Sequence, residues 1–276
     1  MKKNKVKVGK ILMYVFIIAF LIWSIVPIYI VVSNSFRKTL EIKQMPPKIF
    51  FDGILSHYKK LLTLDRFGVY FINSIIISVS TTFISIVFGS MAGYGLKIFK
   101  SSLGKRISNV LLLGKIVPSI TILIPLFIMM NHVRLTGTYL APILALSCLS
   151  LPFVTWLMTG FIADIPIELV EASELEGCTR FKIFLRIILP LLKPALASAI
   201  ILVMKSSWNE LLFCLQLTNL KIYPLTVGIA RYTGAVSVDW GKSSAAATIT
   251  MVPIIIIGFF MQKYLVSGMT AGAVKG

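Results

Sequence analysis

Long apolar segments alternate with shorter polar ones along the chain. The apolar segments run for roughly 18–25 residues, the length that a helix needs to cross about 30 Å of hydrocarbon. Six segments meet this pattern, at about 11–32, 70–96, 107–130, 138–161, 191–217 and 245–265. The pattern therefore predicts an all-α, polytopic membrane protein with six transmembrane helices.

The polar segments set the boundaries of the expected parts. Residues 1–10 contain five lysines ahead of the first span, 11–32, and 33–69 form a polar extracytoplasmic connection. The core with the other five spans covers 70–267, and a short tail covers 268–276. The first apolar run is about 22 residues long and ends in Ser-Asn-Ser. We expect it to remain as a span, because a cleaved signal peptide has a shorter apolar core and a small-residue cleavage site.

The distribution of Lys and Arg favours a cytoplasmic location for both termini. The predicted inner segments hold fifteen of these residues, counting Lys193 and Lys263 at the inner ends of the fifth and sixth spans, and the outer segments hold eleven. Seven of the eleven lie in the long 33–69 connection, and long loops weigh less in the positive-inside rule. Arg37 and Lys38 lie close to a membrane end and count against this orientation.

Composition supports the same class and excludes others. The chain is 57% hydrophobic and 14% charged, with a mean hydropathy of +0.89, which leaves too few charges for the surface of a soluble domain. The formal net charge of +18 is compatible with nucleic-acid binding. However, Lys and Arg lie mostly between the spans, where cytoplasmic retention and anionic lipid headgroups account for them. We expect the lipid bilayer as a partner and no nucleic acid.

No pattern in the sequence predicts catalysis or a metal site. The three cysteines have no metal-ligand spacing. Gly241-Lys242-Ser243 resembles the end of a phosphate-binding loop, but Val236 stands where that loop needs a glycine. We therefore expect a non-enzymatic chain that has no catalytic residue, holds no metal and binds no ATP itself.

Half of the ten acidic residues fall within thirteen positions between the fourth and fifth spans. They are Asp164, Glu168, Glu171, Glu174 and Glu176. We call residues 164–177 the acidic insert. Asp164 can cap a helix, and Gly177 can take the left-handed conformation that ends one. A helix with this charge is unsuited to a bilayer, so we expect it to contact a soluble partner; a solvated cytoplasmic hairpin is the alternative.

Residues 178–190, which we call the arm, follow the acidic insert. Phe181, Phe184, Leu185 and Ile188 recur at i, i+3, i+4 and i+7. This spacing predicts an amphipathic helix suited to a membrane surface. Pro190, with Pro194 after it, marks the turn into the fifth span.

The second span contains a GxxxG pair, Gly89 and Gly93. Small residues at this spacing let two helices approach closely. We therefore expect close helix packing at this pair and no role in substrate binding.

The spacing from the acidic insert to the end of the arm resembles a known loop. A Glu-Ala pair precedes a glycine six residues after the glutamate, followed by Ile-x-Leu-Pro. These positions are Glu171, Ala172, Gly177, Ile187, Leu189 and Pro190. The pattern is similar to the EAA loop of permease subunits of bacterial ABC importers, which forms a coupling helix that docks in a cleft of the ATPase subunit. Ser173 stands where alanine is usual and, as a small residue, should leave docking intact.

Further segments resemble MalG-like carbohydrate permeases, which belong to the binding-protein-dependent transport system inner membrane components. They are Asn73-Ser74 through Thr81-Thr82, Ile124-Pro125-Leu126-Phe127, Trp208-Asn209-Glu210, Pro224-Leu225-Thr226 and the C-terminal stretch 262–276. The resemblance implies the type I ABC importer permease fold, with a cytoplasmic coupling helix between the fourth and fifth transmembrane helices. It also implies a location in the bacterial cytoplasmic membrane.

The resemblance implies partners and a mechanism as well. A second, MalF-like permease would complete the translocation path, two ATPase subunits would bind ATP, and an extracytoplasmic sugar-binding protein would deliver the sugar. The ATPase-coupling residues would be Glu168, Glu171, Ala172, Gly177, Ile187, Leu189 and Pro190. A tail reaching toward the ATPase would contain Gly268, Thr270, Gly272 and Lys275, although composition alone would make this tail a flexible end.

Charged and polar residues inside the spans are candidates for the translocation path. Lys205, Asn209 and Glu210 lie in the predicted fifth span, where a charge must be paired or hydrated. Lys205 and Glu210 are about 140° apart on an ideal helix, too far for a mutual pair. The sequence therefore leaves two roles open for Lys205 and Glu210, which are lining the path and forming a structural pair with a residue of a companion subunit. Lys115, in the third span, can extend its side chain toward an interface.

Two other functions compete with sugar import. An ion-coupled secondary transporter is expected to show internal repeats or membrane carboxylates, and Glu210 is the one acidic residue in a predicted span. A non-transporting membrane scaffold would not need the full Glu-to-Pro spacing. We therefore predict a sugar-import permease, without identifying the sugar.

Overall fold

Helices account for most of the structure, a computed structural model that describes residues 2–44, 50–98, 106, 107, 110, 111, 117–232 and 238–271. For residues 2–8 and 261–271 it describes the backbone alone. In chain order the helices are α1 (Lys2–Phe36), α2 (Thr39–Ile42), α3 (Ser56–Thr63), α4 (Phe67–Ile98), α5 (Ser119–His132), α6 (Leu140–Ala163), α7 (Glu168–Leu175), α8 (Arg180–Ile183), a π-helical turn (Phe184–Ile188), α9 (Leu189–Leu191), α10 (Lys193–Trp208), α11 (Leu212–Leu217), α12 (Leu225–Ala230) and α13 (Trp240–Ala271). The predicted all-α fold is confirmed over these residues.

Four of the described helical segments are long and apolar enough to cross a membrane. They are Gly9–Phe36, Phe67–Ile98, Leu140–Ala163 and Trp240–Phe260. Arg180–Leu191 and Lys193–Trp208 form a pair bent by 80°, which raises the count to five if the pair is one span. In the predicted third span, α5 has 14 residues, and 112–116 lie outside the described residues. The count of six therefore stays a prediction.

The chain divides into two compact units, and the first comprises Met1–Phe67 and Ile229–Val252. Within it, α3 buries His57, whose Nε2 atom lies 2.9 Å from the Arg37 carbonyl oxygen. A Cβ at Gly241 would overlap the His57 ring, so the start of α13 lies directly against α3. An ion pair of 3.0 Å between Lys242 Nζ and Asp65 Oδ2 joins the same two parts of the chain.

The second unit comprises Gly68–Gly228 and Pro253–Gly276, and two apolar clusters form its core. One cluster joins α4, α6 and α10 to α7 and the arm. The other joins α4, α5, α6, α11 and α12. Transmembrane helices gain no hydrophobic stabilisation by leaving lipid for each other, so their association depends on van der Waals packing of this kind.

The GxxxG pair brings α4 and α6 into close contact, as predicted. A Cβ at Gly89 would lie 2.6 Å from Val154 Cγ1, and a Cβ at Gly93 would lie 2.8 Å from Met158 Cβ. Both positions therefore accept only glycine without a shift of a neighbour. The two contacts follow the same order along both helices, which means that α4 and α6 run in the same direction.

Two expected boundaries differ from the structure. The predicted fifth span, 191–217, is not one helix, because α10 ends at Trp208 and α11 begins at Leu212. The tail predicted from residue 268 begins inside a helix, because α13 continues to Ala271. A single glycine inside a helix costs only about 1 kcal/mol relative to alanine, so Gly268 is not sufficient to end α13.

We expect Gly93→Ala to lower the stability of the second unit by about 1–3 kcal/mol, because the added methyl group overpacks the contact with Met158. Gly95→Ala is the matched control, since nothing lies within 4 Å of a Cβ at that position. Both variants are purified in the same detergent, and their melting temperatures are compared by thermal unfolding. Equal melting temperatures would contradict the close contact of α4 and α6.

Candidate functional site

The acidic insert folds as α7 followed by a glycine turn. Gly177 has a φ of 80°. Its N–H donates to the Glu174 carbonyl oxygen at 3.0 Å, and the Cys178 N–H donates to the Ser173 carbonyl oxygen at 3.0 Å. These two hydrogen bonds form a Schellman motif, which satisfies carbonyl groups at the end of the helix. The prediction that Gly177 ends the helix in the left-handed conformation is confirmed.

The start of α7 differs from the prediction that Asp164 caps it. The helix begins at Glu168, and its N-cap residue, Ile167, makes no side-chain capping hydrogen bond. Asp164 instead directly follows α6, where its N–H donates to the Phe161 carbonyl oxygen at 3.3 Å. Because a proline disfavours the helical conformation in the residue before it, α7 begins only beyond Pro166.

α7 has one buried face and one exposed face. Val170, 4% exposed, belongs to the core cluster that includes α4 and α6, and Ser173 is buried on the same side. The exposed face contains three of the predicted coupling residues, Glu168, Glu171 and Ala172. It also contains Leu175, which is 89% exposed and which the sequence prediction missed. The available signal was its spacing, because Leu175 follows Glu168 by seven residues and so lies on the same face.

The arm buries the predicted face only in part, at Phe184 and Ile188. Phe181 and Leu185 are exposed, and the buried side chains are Ile183, Phe184 and Ile188. A π-helical turn begins at Phe184, and in it the Leu189 N–H donates to the Phe184 carbonyl oxygen five residues earlier. A π turn takes more residues than an α turn, so the i, i+3, i+4, i+7 pattern does not hold across it.

The remaining predicted coupling residues lie along the end of the arm. Ile187 and Leu189 are half-buried and pack against the same core cluster as Val170. Pro190 is exposed, in the first turn of α9. The structure therefore brings Ile187 and Leu189 against the core, whereas Glu168, Glu171 and Ala172 point away from it.

Tyr94, on α4, connects the arm to the transmembrane helices. Its hydroxyl group donates to the Arg180 carbonyl oxygen at 3.1 Å, and its ring centroid lies 5.2 Å from that of Phe184. The Arg180 Nε atom lies 3.4 Å from Glu174 Oε1, across the Gly177 turn. Contacts therefore run without a gap from α7 to α4. No local pattern points to Tyr94, because its partners are far away in the sequence.

The structure also brings together three segments on which the family resemblance rests. The Leu225 N–H donates to Ser74 Oγ at 2.8 Å, and the Thr226 hydroxyl group donates to the Glu210 carbonyl oxygen at 2.8 Å. We call this arrangement of 73–74, 208–210 and 224–226 the polar junction. It satisfies the Glu210 carbonyl group at the break between α10 and α11 and the Leu225 N–H at the start of α12, as a membrane interior requires.

The three candidates for the translocation path lie at this break. Lys205 is exposed in the last turn of α10, and the Asn209 side-chain amide donates to its carbonyl oxygen at 2.8 Å. Glu210 Oε1 accepts a hydrogen bond of 3.2 Å from the Phe213 N–H and so caps α11. Among the described residues, no ion pair joins Lys205 to Glu210.

The other predicted positions fall at the edges of the described structure. Gly268 and Thr270 lie in α13, in the part where the structure describes the backbone alone. Gly272, Lys275 and Lys115 lie outside the described residues.

Comparison with known proteins identifies the family. Residues 85–271 match the family described as binding-protein-dependent transport system inner membrane component. YurM of Bacillus subtilis (strain 168), a probable ABC transporter permease protein, is 32% identical over 99% of this chain and 91% of its own length. The trehalose transport system permease protein SugB of Mycobacterium tuberculosis (strain CDC 1551 / Oshkosh) is 32% identical over 92% of this chain and 93% of its own length.

Solved structures confirm the permease fold. A chain of a bacterial ABC transporter involved in the import of the acidic polysaccharide alginate matches with a TM-score of 0.81, at 20% identity, over 94% of this chain and 96% of its own. A chain of the MetNI methionine ABC transporter in an inward-facing conformation matches with a TM-score of 0.61, at 18% identity, over 76% of this chain and 98% of its own. At these identities the likeness concerns the fold.

Family membership and fold also determine the class of function. The predicted membrane location is confirmed, and the ion-coupled alternative is not favoured. In ABC systems ATP is bound by partner ATPase subunits, and systems of this family depend on a binding protein. The chain therefore belongs to the binding-protein-dependent transport system inner membrane components, and it is a non-catalytic, multi-pass permease subunit of an ABC transporter.

Proposed function

We propose that this chain imports carbohydrate, and that it forms the translocation path with a second, MalF-like permease. The names of its relatives support a sugar substrate. SugB is named for trehalose, and MelC of Bacillus subtilis (strain 168), 31% identical over 91% of this chain and 91% of its own length, is named for melibiose, raffinose and stachyose. An extracytoplasmic sugar-binding protein delivers the sugar in this proposal, and two ATPase subunits bind the ATP.

The observation that carries the proposed coupling is the division of α7 into two faces. Glu168, Glu171 and Ala172 are exposed for contact with an ATPase subunit, while Val170 is fixed in the core cluster with α4 and α6. Closure of the ATPase pair then displaces α7, and the cluster passes this displacement to the transmembrane helices. The two permeases respond by rocking between inward-facing and outward-facing states.

The other proposed coupling residues hold α7 in place. Gly177 sets the direction of the turn after α7, since its φ of 80° is open to few other residues. Ile187 and Leu189 attach the arm to the core, and Pro190 lies in the first turn of α9, just before the 80° bend. We assign these four residues to positioning and the exposed face of α7 to docking.

The proposed topology has both termini in the cytoplasm. The acidic insert and the arm then face the ATPase subunits, and the 33–69 connection faces the binding protein outside. The tail, 268–276, reaches toward the ATPase pair through Gly268, Thr270, Gly272 and Lys275. The distribution of Lys and Arg supports this orientation.

We assign the translocation path to the side of α10 that contains Lys205 and Asn209. Both side chains are exposed on this chain, next to a break in a transmembrane helix. Irregular backbone at membrane depth is tolerated where it is buried in protein or lines a water-filled cavity. The Glu210 side chain caps α11, so its proposed role is to shape the path.

We expect Gly177→Val to reduce sugar uptake about tenfold. A β-branched residue is strained by about 1–2 kcal/mol or more at a left-handed φ, and α7 would change direction relative to the arm. Gly177→Asn is the matched control, because asparagine tolerates this conformation and nothing lies within 4 Å of a Cβ there.

Uptake is measured in proteoliposomes that contain both permeases, the ATPase subunits and the binding protein. The sugar is the one that the purified binding protein binds in calorimetry against a panel of oligosaccharides. If Gly177→Val is present in the membrane at the normal level and takes up sugar at the wild-type rate, the proposed coupling role of Gly177 is wrong. If the binding protein is specific for a ligand other than a sugar, the proposed substrate class is wrong.

We expect Tyr94→Phe to lower the amount of sugar imported per ATP hydrolysed by about two- to tenfold. The variant loses the hydrogen bond to the Arg180 carbonyl oxygen, which is worth about 0.5–1.5 kcal/mol, and keeps the ring contact with Phe184. Tyr58→Phe is the control, because it removes a hydroxyl group bonded to Ser35 in the first unit, away from the arm and the polar junction. The same ratio in both variants would contradict a role of Tyr94 in coupling.

We expect Lys205→Met to raise the KM for the sugar about tenfold, because a hydrogen bond to a charged group is worth about 1.5–3 kcal/mol. Lys193→Met, at the exposed start of α10, is the control for loss of one positive charge. Initial uptake rates over a range of sugar concentrations separate KM from kcat. An unchanged KM and an unchanged sugar preference in Lys205→Met would count against a place on the path.

A further inference from the structure

The second unit contains an apolar cleft that none of the roles above uses. Its volume is about 670 Å³, within the range of about 300–1,000 Å³ that is usual for ligand sites. The walls are formed by α4, α6 and two described residues of the predicted third span, Ile107 and Leu111. Phe88 and Ile107 line the cleft and are 57% and 40% exposed, so a ligand can enter it from the side.

The cleft follows α4 over most of the depth of one lipid leaflet. Phe88, Ala92 and Leu96 recur at every fourth residue and therefore lie along one side of α4. Eight residues of helix are about 12 Å long, and the hydrocarbon of one leaflet is about 15 Å deep. On the side of α6 the lining includes Cys148 and Leu151. The length and the apolar lining suit one hydrocarbon chain.

A glycine keeps the cleft open, and helix packing does not account for it. Gly95 lines the cleft, and nothing lies within 4 Å of a Cβ at that position. By contrast, a Cβ at Gly93 would lie 2.8 Å from Met158 Cβ, because Gly93 contacts α6. The small size of Gly95 therefore serves the space in front of it and not a contact with another helix.

Positive charge borders one end of the cleft. Lys97 directly follows Leu96, the last lining residue of α4, and Arg106 directly precedes Ile107. Both side chains are exposed, and among the described residues neither forms an ion pair. The stretch 97–106 contains four Lys or Arg and no Asp or Glu. A ligand whose apolar part fills the cleft therefore places its other end next to cations.

We propose that the cleft binds one acyl chain of an anionic phospholipid, whose phosphate group pairs with Lys97 and Arg106. Hydrocarbon gains little by leaving bulk lipid for an apolar cleft, because lipid tails are as apolar as leucine side chains. Selectivity therefore comes from the headgroup, as in basic pockets between transmembrane helices. The lipid joins α4 to the start of the predicted third span. The inference uses the membrane location alone and is independent of the proposed sugar and coupling roles.

Native mass spectrometry of the detergent-purified transporter, with both permeases and the ATPase subunits, tests the headgroup selectivity. The transporter is titrated with phosphatidylglycerol, or with zwitterionic phosphatidylcholine that has the same acyl chains. We expect the Kd of the most tightly bound lipid to be about tenfold lower for phosphatidylglycerol, because two cations lie at the end of the cleft. Equal Kd values for the two lipids would overturn the proposal.

A double variant, Lys97→Gln with Arg106→Gln, tests the charged end. We expect its Kd for phosphatidylglycerol to rise about tenfold and its preference over phosphatidylcholine to disappear. The matched control is Lys182→Gln with Lys193→Gln, which removes two exposed cations away from the cleft and should change the Kd less than about twofold. The same Kd in both double variants would contradict the assignment of the headgroup.

Gly95→Leu tests the apolar end, because its side chain extends into the space of the acyl chain. We expect the Kd for both lipids to rise about tenfold, since the chain loses its packing contacts. Gly160→Leu is the matched control: Gly160 is an exposed glycine of α6 outside the cleft, with nothing within 4 Å of a Cβ. Equal melting temperatures of the two variants exclude unfolding, and equal Kd values would show that the chain binds elsewhere.

A phosphatidylglycerol analogue with a photoreactive group in its acyl chain locates the lipid in the assembled transporter. We expect crosslinks in peptides that contain 88–96 and 148–155, and we expect Gly95→Leu to remove them. Absence of crosslinks at both segments in the wild type would mean that a protein surface, such as the companion permease, covers the cleft. That result would overturn the proposal even if the permease prefers anionic lipid.

Discussion

The packing of α7 and the arm against α4 and α6 is the interaction on which the functional part of the molecule depends. Val170, Ile183 and Ile188 are buried in one cluster with Val154 and Met158 of α6. Without this cluster the acidic insert would be a charged loop with no fixed relation to the membrane helices. Because packed protein interiors are hardly compressible, a displacement of α7 has to move the helices as well.

α4 is the common element of the larger unit. Its glycines contact α6, Tyr94 bonds to the arm, and Ser74 bonds to the segment beyond α11. The three contacts are distributed along one helix of 32 residues, about 48 Å long at 1.5 Å per residue. A single rigid element therefore links the docking region with the polar junction near the proposed path.

Features that depend on local chemistry could be predicted from the sequence, and those that depend on distant partners could not. The conformation of Gly177 follows from its position after α7, and the role of Gly89 follows from its spacing to a second glycine. The buried face of the arm was predicted only in part, since Phe184 and Ile188 are buried but Phe181 and Leu185 are exposed. The π turn in the arm was not predicted, because it has no simple sequence signature. Tyr94 was missed because its contacts depend on the tertiary fold.

The number of residues in the arm, which includes the π-helical turn, is a structural constraint in its own right. One residue added to or removed from a helix rotates everything beyond it by about 100° around the axis. Between Gly177 and Pro190 such a change would either turn Ile183 and Ile188 out of the core or rotate α10 so that Lys205 faced another direction. The number of residues in the arm, independently of their identity, thus fixes the rotational phase between the docking face of α7 and the polar side of α10.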